Sequence, residues 1–176
     1  MLYVLKSKMN LKHLIKRLVF HITNNFKPLT VHTEAIFIDG VWEKIKEKAL
    51  KKEVHTWYVI TPANYELSKV LFNIKKSKKE VSDIMEERYK WLLKHNQKLE
   101  LHIHLNKIMN ITYKEQEKLF RESLEWMKKK LGIRPKEFVS GWWAYNRDTI
   151  KILRKQGLKL IKENQYKATH DYNWVI

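Results

Sequence analysis

The sequence predicts an α/β protein built around a parallel β-sheet. Three observations favour this class: short apolar runs alternate with long amphipathic segments, the amphipathic segments carry helix-start and helix-stop residues, and turn residues separate the two. Parallel strands need a crossover connection, which is usually a helix, so this alternation is typical of a parallel sheet. The predicted strands are 35–38, 55–60, 99–105, 138–139 and 158–161.

Helices are predicted in the segments between these strands. The first, 42–52, is rich in Lys and Glu. The next two are predicted to begin at capping boxes, in which a Ser or Thr is followed three residues later by a Glu. These pairs are Ser77 with Glu80 and Thr112 with Glu115. The last helix is predicted to begin at Asn146 and to end at Gly157.

Length and hydropathy predict one folded domain behind a basic helical arm. The chain has 176 residues, and a chain of that size buries about 70% of its unfolded surface. The arm is predicted over 1–30 and the α/β domain over 31–176. No stretch is apolar and long enough to span a bilayer, and no small-residue cleavage site follows the basic segment 11–22. A cytoplasmic protein is therefore expected.

Composition narrows the chemistry. The chain has no Cys, which excludes disulfide scaffolds, Cys-based zinc fingers, iron–sulfur clusters and thiol catalysis. The formal net charge is +17, from 36 Lys and Arg against 19 Asp and Glu. Such a charge permits attraction to nucleic acid, anionic lipid or acidic polymers without choosing among them. No nucleic-acid-binding motif is present, so nucleic acid is the least favoured partner.

The predicted third strand, LELHIHL, carries the sharpest chemical signal. Alternation in a strand places His102 and His104 on one face, where two neutral imidazoles can bind one cation. Asp39, at the end of the predicted first strand, is the expected third ligand, because carboxyl ends of parallel strands meet at one edge. A half-exposed polar face and an ordinary Asp-Gly turn would account for the same residues.

Two further clusters are candidates for substrate contact. Trp142, Trp143 and Tyr145 follow the fourth strand, and aromatic rings offer flat apolar faces and hydrogen-bond donors to sugars; filling the core is the alternative. His170 and Asp171 can supply a general acid, a metal ligand or a substrate contact, unless the chain end has no function. The other histidines are interpreted as structural: His13, His21, His32, His55 and His95.

Four segments, in this order, resemble the polysaccharide deacetylase (NodB-homology) family, in its His-x-His branch. They are AIFIDG (35–40), HTWYVITP (55–62), MEERYKWLLKHNQKLELHIHLN (85–106) and FVSGWWAYNRDTIKILRKQGLKL (138–160). Members of this family are metal-dependent carbohydrate esterases with a distorted (β/α) barrel. The resemblance therefore implies that barrel, in an incomplete form, because Ile176 precedes the family's late Leu-x-His segment.

The resemblance also implies an activity: hydrolysis of an acyl group from an N- or O-acylated saccharide by metal-activated water. Asp39, His102 and His104 would hold the divalent cation, zinc being the first choice, and Asp39 and His170 would be the catalytic groups. The implied saccharide contacts are Trp142, Trp143, Tyr145 and Asp171.

One departure from the family keeps other functions open. The family's first motif usually offers two carboxylates, whereas Ile38 precedes Asp39 here. A non-catalytic, saccharide-binding relative is therefore the alternative. A basic protein that binds nucleic acid or an anionic surface is a second alternative, suggested by the charge.

Overall fold

A parallel five-stranded sheet, in the order β1-β2-β3-β4-β5, forms the centre of the molecule. The structure is a computed structural model that describes residues 29–105 and 111–162. The strands are β1 (Leu29–Thr33), β2 (Val54–Val59), β3 (Lys98–Ile103), β4 (Glu137–Ser140) and β5 (Lys159–Ile161). The predicted parallel sheet is confirmed. Most of the predicted arm, together with His170 and Asp171, lies outside the described residues, while Leu29 and Thr30 belong to β1.

The helices are α1 (Asp39–Leu50), α2 (Tyr65–Leu71), α3 (Lys78–Lys94), α4 (Tyr113–Trp126) and α5 (Arg147–Gln156). The predicted capping boxes are confirmed at the starts of α3 and α4, where Ser77 and Thr112 accept hydrogen bonds from backbone N–H groups three residues on. Asn146 caps α5 in the same way, and Gly157 ends that helix in a left-handed conformation, at φ 68°. Local capping chemistry therefore sets these helix boundaries.

Strand order places the helices on one face of the sheet. The strands follow one another across the sheet without reversal. Crossovers between parallel strands are almost always right-handed, so an order that never reverses brings each crossover helix to the same side. The main core lies there, with Trp57, Leu101 and Phe138 of the sheet packed against helical side chains such as Met85 and Phe120. This one-sided arrangement is that of a (β/α) barrel wall.

The opposite face of the sheet, called here the site face, has a different composition. Tyr58, Val139 and Ile161 form a small second apolar cluster on it. Glu100 is buried beside them and accepts two backbone N–H groups, from Lys136 and Glu137, at 2.7 Å each. The described helices pack on the other face of the sheet. Polar side chains at the carboxyl ends of the strands can therefore meet on the site face.

The first strand differs from the prediction. It lies at 29–33, and the predicted strand 35–38 is instead a turn closed by a hydrogen bond from Ile38 N–H to the Ala35 carbonyl at 2.9 Å. Ala35, Ile36 and Phe37 are buried in this turn, and a buried turn gives the same apolar run as a buried strand. Asp39 is therefore the first residue of α1, not the last residue of a strand.

Candidate metal centre

Three side chains from two strands converge at the carboxyl edge of the sheet: Glu34, His102 and His104. Glu34 is the first residue after β1, His102 lies in β3, and His104 is the first residue after β3. Glu34 Oε1 is 2.8 Å from His104 Nε2 and 3.4 Å from His102 Nε2, and the two Nε2 atoms are 3.1 Å apart. Within the described parts of the chain these residues form a compact donor cluster, called here the Glu-His-His group.

The strand register explains why these residues meet. His32 pairs with Tyr58, and Tyr58 pairs with Glu100. Two residues further along each strand, Glu34 and His102 therefore share the next row of the site face. β2 separates their strands, which places the two backbones about 10 Å apart. Side chains that meet at 2.8 to 3.4 Å across that distance lean towards each other over β2.

A backbone hydrogen bond fixes the tautomer of His102. Its Nδ1 lies 3.0 Å from the carbonyl oxygen of Val139. A carbonyl only accepts, so Nδ1 carries the proton and Nε2 presents its lone pair to the group. Burial lowers the pKa of the His102 imidazole below its ordinary value, and this effect outweighs the opposing influence of Glu34. The neutral ring that metals bind is therefore the favoured form.

The Glu34 carboxyl is held ionised. Burial, the largest single influence, would raise its pKa, but the close contacts of the carboxylate with the imidazoles of His102 and His104 together outweigh burial, so the pKa lies well below the usual range for glutamate. The group thus offers two imidazole nitrogens and one carboxylate oxygen from a site that is largely buried.

The donor set fits a divalent cation. Ligands at the 2.0–2.1 Å bond lengths of zinc are spaced about 3.3 Å apart in a tetrahedral site and about 3.0 Å apart in an octahedral one. The three spacings here, 2.8, 3.1 and 3.4 Å, cover this range. Imidazole with carboxylate suits zinc, iron, cobalt or nickel, and three protein ligands with an open position are typical of catalytic rather than structural zinc.

Gly141 and Asn64 hold His104 in place. A Cβ on Gly141 would lie 2.3 Å from Nδ1 of His104, so the ring occupies the space that any other residue would fill. Asn64 Nδ2 donates to the His104 carbonyl at 3.0 Å and fixes the backbone where β3 has ended. The position of the ring therefore depends on the turn after β2 and the turn after β4.

The structure brings together two of the three predicted ligands and replaces the third. Asp39 is not part of the group: its side chain is 85% exposed and pairs with Arg88 of α3. The hydrogen bond from Arg88 lowers the pKa of the Asp39 carboxyl. The predicted cluster of Asp39 with His102 and His104 is corrected to one with Glu34, because the first strand ends six residues before Asp39.

The predicted aromatic residues follow β4, and one of them, Trp142, lies beside the group. Trp142 is 58% exposed, and its ring meets that of His104 edge-to-face, with 4.5 Å between centroids. Trp143 packs against the small apolar cluster of the site face, and Tyr145 is exposed. Trp142 and Trp143 both have left-handed backbones, at φ 51° and 55°. Non-glycine residues seldom adopt this conformation, and here it turns Trp142 outwards next to His104.

Glu34 is not among the predicted ligands, although the residues before it carry the pattern of a strand. Thr30, Val31 and Thr33 are β-branched residues typical of a strand, and Glu34 follows them directly. The apolar run 35–38 is the more prominent strand pattern, so the strand is predicted there and Asp39, rather than Glu34, follows its end.

Comparison with known proteins gave matches among solved structures alone. No family model matches the chain, and no curated protein matches it. A family 4 carbohydrate esterase from Streptomyces lividans, solved in complex with acetate, aligns over 76% of this chain and 60% of its own, with a TM-score of 0.54 and 10% identity. IcaB from Ammonifex degensii aligns over 76% and 58%, with a TM-score of 0.56 and 14% identity.

A third match is a pseudoenzyme of carbohydrate esterase family 4 from Bacillus anthracis, aligned over 77% of this chain and 42% of its own, with a TM-score of 0.53 and 10% identity. This chain has the fold of the family 4 carbohydrate esterases. The predicted resemblance to polysaccharide deacetylases is thus confirmed for the fold, and the chain spans 42% to 60% of the length of these three relatives.

Within this carbohydrate esterase fold, the described strands form part of a barrel wall, as predicted for an incomplete barrel. No described helix is both long and apolar enough to cross a membrane.

Proposed function

We propose that this protein is a metal-dependent hydrolase of the carbohydrate deacetylase type, which removes acyl groups from an N- or O-acylated saccharide. The observation that carries the proposal is the Glu-His-His group at the carboxyl edge of a carbohydrate esterase fold. Fold alone does not imply activity, so the weight rests on the donor atoms and their spacing.

The chain's own residues supply the binding and orientation. Glu34, His102 and His104 would hold the cation, and zinc is the metal we propose for this donor set. When bound, the cation would polarise the acyl carbonyl and lower the pKa of a bound water towards ~7. The Val139 carbonyl keeps Nε2 of His102 free of a proton, and the ionised Glu34 adds the negative charge that favours a divalent ion.

The aromatic residues after β4 support a saccharide as the substrate. Trp142 offers an exposed ring beside His104, where it could stack on a sugar whose acyl group reaches the Glu-His-His group. Tyr145 is also exposed, and we propose Trp143 and Tyr145 as further saccharide contacts. We retain His170 as the proposed acid for the leaving group and Asp171 as a proposed saccharide contact.

Metal content tests the proposal and the corrected ligand set together. Purified wild-type protein incubated with zinc chloride and desalted should retain about one equivalent of zinc, and the His102→Ala/His104→Ala double variant should retain none. Glu34→Ala should lose zinc, while the matched variant Asp39→Ala should keep it. Zinc lost from Asp39→Ala but kept by Glu34→Ala would contradict the ligand set.

Activity is the second arm of this test. Acetate release from acetylated chito-oligosaccharide by the zinc-loaded protein should require Glu34, His102 and His104. A wild-type protein that binds no zinc and releases no acetate would remove the hydrolase proposal.

A non-catalytic, saccharide-binding relative is a second candidate, favoured by one observation. The Glu-His-His group contains a single carboxylate, and among the described residues no second one joins it; the neighbour Thr33 cannot ionise. A metal-activated water needs a base, so a site without one would bind and not turn over. Zinc retention and saccharide binding without acetate release would support this candidate.

A further inference from the structure

His32 lies beside the Glu-His-His group without being part of it. Strand alternation puts His32 and Glu34 on the same face of β1. The Nε2 atom of His32 is 3.6 Å from Glu34 Oε1, and its ring stacks on that of His102 at 5.1 Å between centroids and 26° between planes. The side chain is 37% exposed. Sequence reasoning treated this histidine as structural.

We propose that His32 is a fourth protein ligand of the cation, so that the site contains three imidazoles and one carboxylate. The inference rests on the proposed metal site and adds to it one residue from outside the Glu-His-His group.

The convergence of nitrogen atoms on one oxygen is the first argument. Nε2 atoms of His32, His102 and His104 lie 3.6, 3.4 and 2.8 Å from the same atom, Glu34 Oε1. A carboxylate oxygen has about two lone pairs, and 3.6 Å is beyond hydrogen-bond distance. Hydrogen bonds to Glu34 therefore account for at most two of the three imidazoles, whereas a cation shared by all four groups accounts for all three.

The spacing is the second argument. Ligands of a zinc-sized ion lie about 3.0 to 3.3 Å apart. The His32–Glu34 separation of 3.6 Å exceeds this by only a few tenths of an ångström. The His32 nitrogens do not lie within 4.8 Å of every ligand atom of the Glu-His-His group, so the ring must also move towards the other imidazoles. The His32 side chain is 37% exposed and can make such an adjustment by rotating about its two side-chain torsions.

The proposal has a consequence for metal choice. A third imidazole shifts the site further towards zinc, cobalt, nickel or copper and away from magnesium and calcium, which prefer oxygen ligands. A fourth protein ligand still leaves room for water or substrate in a five-coordinate complex.

The test compares His32→Asn with the matched control His55→Asn, which changes an exposed histidine on the neighbouring strand β2. Zinc affinity is measured by competition with a chromophoric chelator. We expect His32→Asn to weaken affinity by more than ~100-fold, since loss of an outer-sphere partner costs about 10- to 100-fold. His55→Asn should leave the affinity unchanged.

Proton NMR of the cobalt(II)-loaded protein identifies ligation directly, because an imidazole bound to cobalt gives a strongly shifted, exchangeable N–H signal. The wild type and His55→Asn should show three such signals and His32→Asn two. Two signals in the wild type overturn the inference, even if His32→Asn weakens zinc binding, because His32 would then act only through Glu34.

The two proposals fail in different ways. A wild type that takes up neither zinc nor cobalt overturns the metal site itself. A wild type that binds both metals but shows two signals overturns the role of His32 alone. Should His32→Asn fail to fold, as judged by its near-ultraviolet circular dichroism, the wild-type signal count still decides.

Discussion

Gly141 is the glycine at which one added carbon would meet the site. Its Cβ would meet the His104 ring at 2.3 to 2.8 Å. We predict that Gly141→Ala displaces this ring, weakens zinc binding by about 10- to 100-fold and lowers the free energy of unfolding by about 1–3 kcal/mol, the usual cost of overpacking. Chelator competition and urea unfolding measure the two effects.

Gly40→Ala is the control for this prediction. No atom lies within 4 Å of the Cβ that it would add, and Gly40 is in the first turn of α1. Alanine in a helix is favoured over glycine by about 0.5–1 kcal/mol. Unfolding stability should therefore be unchanged or slightly higher, with zinc affinity intact; equal effects of both variants on zinc affinity would contradict the steric account.

The residue scale also shows the limits of sequence reasoning. His102 and His104 could be predicted because two alternate positions of one strand share a face, which is local information. Glu34 and His32 belong to another strand, and their distance to the imidazoles depends on sheet register and on side chains leaning across β2. Neither of these can be deduced from spacing along the chain.

At the scale of elements, Arg88 links α3 to the turn that follows the first strand. Its guanidinium donates to the Ile36 carbonyl at 2.6 Å, pairs with Asp39 and lies 5.6 Å from the centre of the Trp42 ring. We predict that Arg88→Met lowers the free energy of unfolding by about 1.5–3 kcal/mol, the range for a hydrogen bond from a charged group. Urea unfolding monitored by circular dichroism measures it.

Lys90→Met is the matched substitution on the same helix. Lys90 makes an exposed pair with Glu86, four residues earlier, and such pairs contribute about 0–1 kcal/mol. A loss for Lys90→Met as large as that for Arg88→Met would mean that Arg88 does not act through the turn.

Asp39 adds a pH dependence at this contact. The Arg88 hydrogen bond lowers the pKa of the Asp39 carboxyl. The pair therefore stabilises the fold fully at pH values above the ordinary pKa of aspartate, and this stabilisation is lost as the pH falls through the lowered pKa. Because the carboxylate is exposed, the effect should stay below about 1 kcal/mol. Wild type should therefore lose more stability than Asp39→Asn below about pH 4, as thermal unfolding across pH 3–6 would show.

The elements that sequence reasoning located correctly are those with local start and stop signals. The capping boxes at Ser77 and Thr112 and the left-handed glycine at 157 depend on residues within a few positions of one another. β1 and the turn after it were confused because burial, not backbone conformation, produces an apolar run. The burial of this turn depends in part on distant residues, since the ring of Phe37 meets that of Phe72 edge-to-face, with 5.7 Å between centroids.

At the scale of the whole molecule, cation binding should be coupled to folding. The ligands come from segments about 70 residues apart in sequence, 34 and 102–104, so the site exists only in the folded chain. Zinc at 100 times its Kd should stabilise the protein by about 2.7 kcal/mol, which raises Tm by roughly 5–10 °C for a chain of this size. Differential scanning calorimetry with and without zinc measures the shift.

Glu34→Ala is the control for this coupling, because it should fold and, without the carboxylate ligand, show a much smaller zinc-dependent rise in Tm. An equal rise in wild type and in Glu34→Ala would place the zinc elsewhere on the protein.

That ligands from distant strands meet at one edge could be predicted from the sequence, because parallel strands joined by helices bring their carboxyl ends to the same edge whatever the loop sequences.

The hydrogen bond between His102 and the Val139 carbonyl has a consequence for how the site tolerates change. The acceptor belongs to the main chain, and the two residues are register partners across β3 and β4. Replacing the Val139 side chain therefore leaves the acceptor in place. The nitrogen of His102 that carries the proton is therefore set by the register of β3 and β4. A shift of β4 by one residue would change that nitrogen, whereas a change of side chain at position 139 would not.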